Sequence, residues 1–245
     1  MRATIALAVW LVAALGSGAV AQERIALATR PGVTQPVLFT AAPSAVASVI
    51  LFPGGSGVVA EIRQNFLLRV ADRFVAERIN VAVADAPSDH ASGMGRPFRV
   101  SDAHAKDIAA IVVFVKSRSP VPLWLVGTSR GSISAANGAS HIGPPRIAGV
   151  VLTSSVWDDG VLDLPLGDIT APVLVVHNRD DGCRNSPFAA TADAMSRMQR
   201  APVKDLIAVS GGMVRSAPCE ALSPHGYYGI EDQVVPPIIA WIKSH

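Results

Sequence analysis

Leu123-Trp124-Leu125-Val126-Gly127-Thr128-Ser129-Arg130-Gly131-Ser132 carries an apolar run straight into a Gly-x-Ser-x-Gly turn, and a stretch of mostly small residues follows to Ala139. The spacing has a steric reason. A serine on a sharp turn between a strand and a helix projects its hydroxyl outward only if the residues two before and two after it lack bulk where the backbones meet. The five-residue pattern alone is weak in a glycine-rich chain. The apolar run before it and the small-residue stretch after it supply the strand-turn-helix context that makes Ser129 a candidate nucleophile.

Working outward, the same alternation recurs. Short apolar runs bounded by Gly, Pro, Asn or Asp read as strands at 37–40, 47–52, 80–84, 121–126, 147–154, 172–177 and 205–209. Most are apolar on successive residues, as strands buried on both faces are. Between them, Ile62, Phe66, Leu67, Val70, Phe74, Val75 and Ile79 lay one apolar stripe along a helix. Ile108, Ile111, Val112 and Val115 do the same behind a Ser101-Asp102 cap. Phe188, Ala192, Met195 and Met198 make a further stripe, with the methionines read as core. In the last stretch, 230–242, Pro236-Pro237 is expected to start or interrupt a helix. Strand and helix alternating from about residue 47 predicts an α/β fold, a mostly parallel sheet with helices on both faces. No internal repeat or linker divides the chain, so one domain is expected over 22–245.

The first residues read as an address. Met1-Arg2 supplies a minimal positive start, and 5–15 is an unbroken apolar run shorter than the roughly 20 residues needed to span a bilayer. Gly16-Ser17-Gly18-Ala19-Val20-Ala21 then offers small residues for a peptidase, which predicts a secretory signal peptide cleaved after Ala21. No other apolar run reaches spanning length, so a secreted or periplasmic protein without a stable membrane span is expected. In an oxidising compartment the only two cysteines, Cys183 and Cys219, are free to join. No C-x-x-C or H-x-x-x-H spacing accompanies them, so no metal site is expected.

Composition narrows the classes further. Half of the 245 residues are hydrophobic and 16% are charged, enough apolar side chain for a core and no signature of disorder. Twenty-one basic against nineteen acidic residues give no single-sign field, and no run of four basic residues occurs, which argues against nucleic acid as a partner.

With Ser129 in this setting, the chain resembles the α/β-hydrolase superfamily over nearly all of the expected mature sequence, most clearly from Val46 onward. That family carries its nucleophile after the fifth strand, an acid after the seventh and a histidine after the last, in the order Ser, Asp, His. The segment Pro172-Val173-Leu174-Val175-Val176-His177-Asn178-Arg179-Asp180-Asp181-Gly182 looks like the family's strand and acid loop, with Asn178 at a turn position usually held by glycine. The resemblance implies Asp181 as the acid, with Asp180 as its alternative and Asp158-Asp159 as a third. Of six histidines, His90, His104, His141 and His177 precede Asp181, and His245 is the terminus. His225, in Ser223-Pro224-His225-Gly226, remains as the base. His177 is read as a satisfied core residue. A Cys183–Cys219 disulfide would then tie the acid loop to the base loop.

Leu51-Phe52-Pro53-Gly54-Gly55-Ser56-Gly57 is similar to the family's His-Gly-Gly loops, with Pro53 where histidine is usual. Glycines there let backbone N–H groups approach a carbonyl oxygen that becomes negative. The oxyanion donors are assigned to Gly55 and Arg130, with Gly54 and Ser56 as alternatives to Gly55. The Arg130 side chain is expected in a structural ion pair away from the pocket. The resemblance implies ester hydrolysis through an acyl-enzyme, without metal or organic cofactor, on a small-molecule or polymer ester. Peptidase, polyester depolymerase and a non-catalytic binding protein on the same fold stand as alternatives. The stretch 155–171 is too short for a cap domain, so an open pocket is expected, covered by loops such as 88–99.

Overall fold

The computed structural model describes residues 21–158 and 160–245. The expected leader therefore lies outside the described residues except for Ala21, as does Asp159. The chain forms β1 (Gln22–Arg30), β2 (Val33–Thr40), β3 (Ala47–Phe52), α1 (Phe66–Ala76), β4 (Ile79–Ala84), α2 (Arg96–Arg99) and α3 (Asp102–Arg118). It continues with β5 (Leu123–Thr128), α4 (Arg130–His141), β6 (Gly149–Thr153), β7 (Val173–Asn178), α5 (Thr191–Arg197), β8 (Lys204–Val209) and α6 (Glu231–Ser244). All eight strands share one sheet in the order β1-β2-β4-β3-β5-β6-β7-β8. From β4 to β8 the pairing is parallel, whereas β1–β2 and β2–β4 are antiparallel.

The central strands β3, β4, β5, β6 and β7 are buried at every residue, which explains their unbroken apolar runs. On one face α3 and α4 cover them with Ile108, Ile111, Val112, Val115, Ile133 and Ala135. On the other, α1 and α6 contribute Phe66, Leu67, Val70, Phe74, Val234 and Ile238. Helix α4 lies close to β5 because its core-facing residues are small, and a methyl at Gly138 would stand 2.8 Å from Leu125 Cδ1.

Three local expectations change. Strand β1 carries no strong sequence signal: Gln22, Glu23 and Arg24 are exposed, and only Ile25 and Leu27 reach the core. It forms by hairpin pairing with β2 around Pro31-Gly32, where Gly32 takes φ +70°. The helix expected from Ile62 begins instead at Phe66, where the Asn65 side chain accepts the Leu67 N–H at 3.1 Å and caps it. Helix α6 begins at Glu231 and runs through Pro236 and Pro237. It tolerates them because Asp232 and Gln233, whose carbonyls lose the i+4 donor, are exposed, while Val234, Val235, Ile238 and Ile239 hold the opposite side in the core. Met198 is buried and Met195 packs on the core's edge, but Ala192 of the expected stripe is exposed, and Thr191 and Ala194 are the buried positions of α5.

His104, in the first turn of α3, is buried against the Phe98 ring at 4.9 Å between centroids, and among the described residues neither ring nitrogen has a hydrogen-bond partner. Burial, and then the nearby Arg99, Arg30 and His90 charges, pull its pKa down to about 3. Because the unfolded chain takes up this proton near pH 6.5 and the folded chain does not, His104 favours unfolding progressively as pH falls below 6.5. His104→Leu is expected to flatten the pH dependence of unfolding free energy over that range in urea titrations. An unchanged slope would contradict this.

Candidate active site

Ser129 stands between β5 and α4 with φ 52° and ψ −129°, a left-handed backbone that costs a residue with a side chain of the order of 1–3 kcal/mol. Its surroundings impose that conformation. A methyl at Gly127 would lie 2.3 Å from the Gly131 carbonyl oxygen, and one at Gly131 would lie 1.8 Å from the carbonyl oxygen of Phe52. The two glycines thus let β5, α4 and the end of β3 close on one another. The Ser129 N–H donates to Thr153 O on β6 at 3.0 Å, which pins the turn to the neighbouring strand. The half-buried side chain faces a cavity of about 350 Å³.

His225 occupies a short helical turn whose start is capped by Ser223, its Oγ accepting the His225 N–H at 3.2 Å. The Nδ1 of His225 is 2.8 Å from Asp181 Oδ2, and both side chains are almost wholly buried. A carboxylate accepts, so Nδ1 carries the proton and Nε2 keeps a lone pair. That Nε2 has no hydrogen-bond partner among the described residues, and His225 lines the cavity that Ser129 lines. Asp181 is held from its other oxygen by the Cys183 N–H at 2.9 Å. Asp180 turns elsewhere: its carboxylate accepts the Gly211 N–H at 2.6 Å, closing a turn after β8. Asp158 is exposed.

Several residues without a sequence signal hold the loop that carries His225. Tyr227 is buried, with φ 54°, and its hydroxyl donates to Val176 O at 2.7 Å and accepts the Ser154 N–H at 2.9 Å. Ser154 Oγ in turn donates to the His225 carbonyl at 2.7 Å. From the acid side, Asn178 Nδ2 donates to Gly211 O and Pro224 O at 2.8 and 3.0 Å. From α1, Arg69 donates to Gly226 O at 2.8 Å and Ala221 O at 3.1 Å, and pairs with Glu231 at 2.7 Å. Cys183 and Cys219 are joined by a disulfide, so the loops that carry Asp181 and His225 share a covalent link. His177 is buried, as the sequence suggests, but is not fully satisfied. Its Nε2 donates to Ser186 O at 2.9 Å and sits 3.6 Å from Asp181 Oδ2, while Nδ1 has no partner. Burial lowers its pKa, so the ring is neutral beside the carboxylate.

The loop after β3 turns tightly, with the Gly57 N–H donating to Gly54 O at 3.2 Å and Gly55 at φ +60°. Among the described residues the Gly54, Gly55 and Ser56 N–H groups have no acceptor, and of the three only Gly55 lines the cavity. Arg130 is the first residue of α4, so its N–H has no partner inside the helix. Its side chain is exposed and makes no ion pair among the described residues. The 88–99 loop does not wall the cavity. Met94 and Phe98 are buried and Arg96 pairs with Asp163 at 2.5 Å, so the walls come instead from 60–66 and 216–226. Among the described residues no three His, Cys, Asp or Glu side chains converge as a metal site, and no helix is long and apolar enough to cross a membrane.

No protein-family model matches the chain, and no curated protein matches it in sequence. Solved structures do. An alpha-beta serine hydrolase homologue from Coxiella burnetii superposes with TM-score 0.65 at 17% identity, over 89% of this chain and 96% of the other. An esterase from Pyrococcus furiosus gives 0.66 at 17%, over 91% and 92%. A serine hydrolase without lid from Xanthomonas campestris gives 0.61 at 15%, over 91% and 92%. Together with the strand order and the turn at Ser129, these likenesses show that the chain has the α/β-hydrolase fold.

Proposed function

We propose that the protein is an exported serine hydrolase that cleaves carboxylic esters through an acyl-enzyme, with Ser129 as nucleophile, His225 as general base and acid, and Asp181 as the group that holds the imidazole. The observation that carries this reading is the 2.8 Å His225–Asp181 contact, made by a histidine that lines the same cavity as Ser129. His225 Nε2 takes the Ser129 hydroxyl proton as Oγ bonds to the ester carbonyl carbon. The negative charge then gathered on the carbonyl oxygen is met by the Gly55 and Arg130 N–H groups. As the carbon–oxygen bond breaks, the imidazolium returns its proton to the departing alcohol. Water, deprotonated by His225, next cleaves the acyl-enzyme and restores the serine.

The dimensions favour a compact substrate part. A cavity of about 350 Å³ between 60–66 and 216–226 takes one small acyl or alcohol group, and its open mouth leaves the remainder of a longer ester outside. Export rests on the leader read at 1–21 and is compatible with the disulfide.

Fluorophosphonate labelling of the mature protein is expected to be stoichiometric and to vanish in Ser129→Ala. Ester turnover is expected to fall by about 10³–10⁶-fold in Ser129→Ala or His225→Ala, and by about 10⁴-fold in Asp181→Asn. A folded, disulfide-bonded protein that takes no label would overturn the reading. Comparable rates on amides and esters would move it to a peptidase.

The disulfide joins two loops outside the sheet. Cys183→Ser with Cys219→Ser is therefore expected to lower kcat/KM about tenfold while stability drops by only about 2–4 kcal/mol, leaving the fold intact at 25 °C. Thermal melts beside ester assays check this, and a variant that keeps full activity would count against a positioning role.

A further inference from the structure

Arg99 ends α2 with its guanidinium wholly removed from solvent, and no carboxylate pairs with it among the described residues. Burying a cation without a counter-anion is costly, so the fold spends stability at this position. Burial, followed by the like charge of Arg130, draws the Arg99 pKa down to about 9. Its surroundings are the back of the oxyanion loop. Nη1 donates to Ser134 Oγ in α4 at 2.7 Å, Nε donates to Met94 O at 3.2 Å, and Nη2 lies 3.5 Å from Pro53 O. A methyl at Gly57 would stand 2.6 Å from Nη2, so the bare α-carbon of that residue is what lets the loop sit over the guanidinium. Gly57 also donates the hydrogen bond to Gly54 O that closes the turn carrying Gly55. The same loop touches the nucleophile directly, since a methyl at Gly54 would meet Ser129 Cβ at 2.8 Å.

We propose that Arg99 is a positioning residue of the ester reaction. Its buried guanidinium braces the Pro53–Gly57 turn against α4 and sets an uncompensated positive charge behind the Gly55 N–H, favouring the anionic tetrahedral state over the neutral ester. The proposal rests on the serine-hydrolase reading above. A positive charge fixed in a water-poor interior acts on developing negative charge far more strongly than one in solvent, and it acts least on the uncharged ground state. Its loss therefore falls on kcat and spares KM.

The test compares wild type with Arg99→Met, Arg99→Lys and Ser134→Ala. It measures ester kcat and KM, thermal midpoint, and the Ki of an alkylboronic acid, which adds to the serine as a tetrahedral anion. Arg99→Met is expected to lose about 10–100-fold in kcat with KM within about twofold, and the boronate Ki is expected to rise in step. Arg99→Lys is expected to recover most of both, because the charge stays. Ser134→Ala removes the shortest bond to the guanidinium and is expected to lower kcat about threefold with a matching rise in Ki, which keeps the proposal testable if Arg99→Met does not fold. Arg99→Met with unchanged kcat and Ki, a loss carried by KM, or Arg99→Lys no better than Arg99→Met would each overturn it. Wild type that takes no fluorophosphonate at Ser129 would overturn the hydrolase reading and this inference together, whereas labelled wild type with an indifferent Arg99→Met sinks only the role of Arg99.

Discussion

Gly131 approaches the end of β3 so closely that a single methyl there would stand 1.8 Å from the Phe52 carbonyl oxygen, and Gly127 meets Gly131 in the same way. This contact joins three elements, β3, β5 and α4, at one point. Because the chain must turn from strand to helix within it, Ser129 is forced into positive φ and its side chain is thrust away from the packed backbones. The strain is held by the mass of the sheet, through the Ser129 N–H on β6 and the buried small residues of α4. The same point presents the Arg130 N–H and brings the Gly54–Gly57 turn against the serine.

The His225 side follows a different logic. Ser129 is placed by packing, but His225 lies on a loop, where packing alone does not define a ring to a fraction of an ångström. The fold compensates with polar ties from several directions. Tyr227, within the loop, reaches out to Val176 on β7, while Ser154 reaches in from the end of β6, Asn178 from the end of β7 and Arg69 from α1. The Ser154, Asn178 and Arg69 side chains all donate to backbone carbonyls of the 221–226 segment. Rotation of the loop would break several bonds at once. His177 sits behind Asp181 as a neutral ring, so it adds no second positive charge to compete with His225 for the carboxylate.

Legibility differed by the kind of signal each residue leaves. Strands buried on both faces announce themselves as apolar runs, and β3 and the core of β4, β5, β6 and β7 stand where those runs lie, shifted by a residue or two at their ends. Strand β1 was silent because an edge strand needs only half a face of apolar side chains, here Ile25 and Leu27. The elbow was legible because its glycines are demanded by contact, and contact demands leave a fixed spacing. Asp181 and His225 were legible through chain order and family likeness, and Cys183–Cys219 through composition. Arg69, Ser154, Tyr227 and Arg99 were not, since a side chain bonding to a distant backbone carbonyl has no characteristic spacing.

Among the described residues the sheet ends in two edge strands, β1 and β8. Strand β1 carries Gln22, Glu23 and Arg24 exposed, and β8 carries Lys204 and Asp205 exposed, so both borders are interrupted by charge where a second molecule would dock. Trp241 also donates to Asp205 at 2.7 Å, drawing α6 across that border. Charged, partly covered borders oppose the strand-to-strand stacking by which open sheets grow into insoluble fibres. A chain that folds into an open sheet meets that hazard each time it folds.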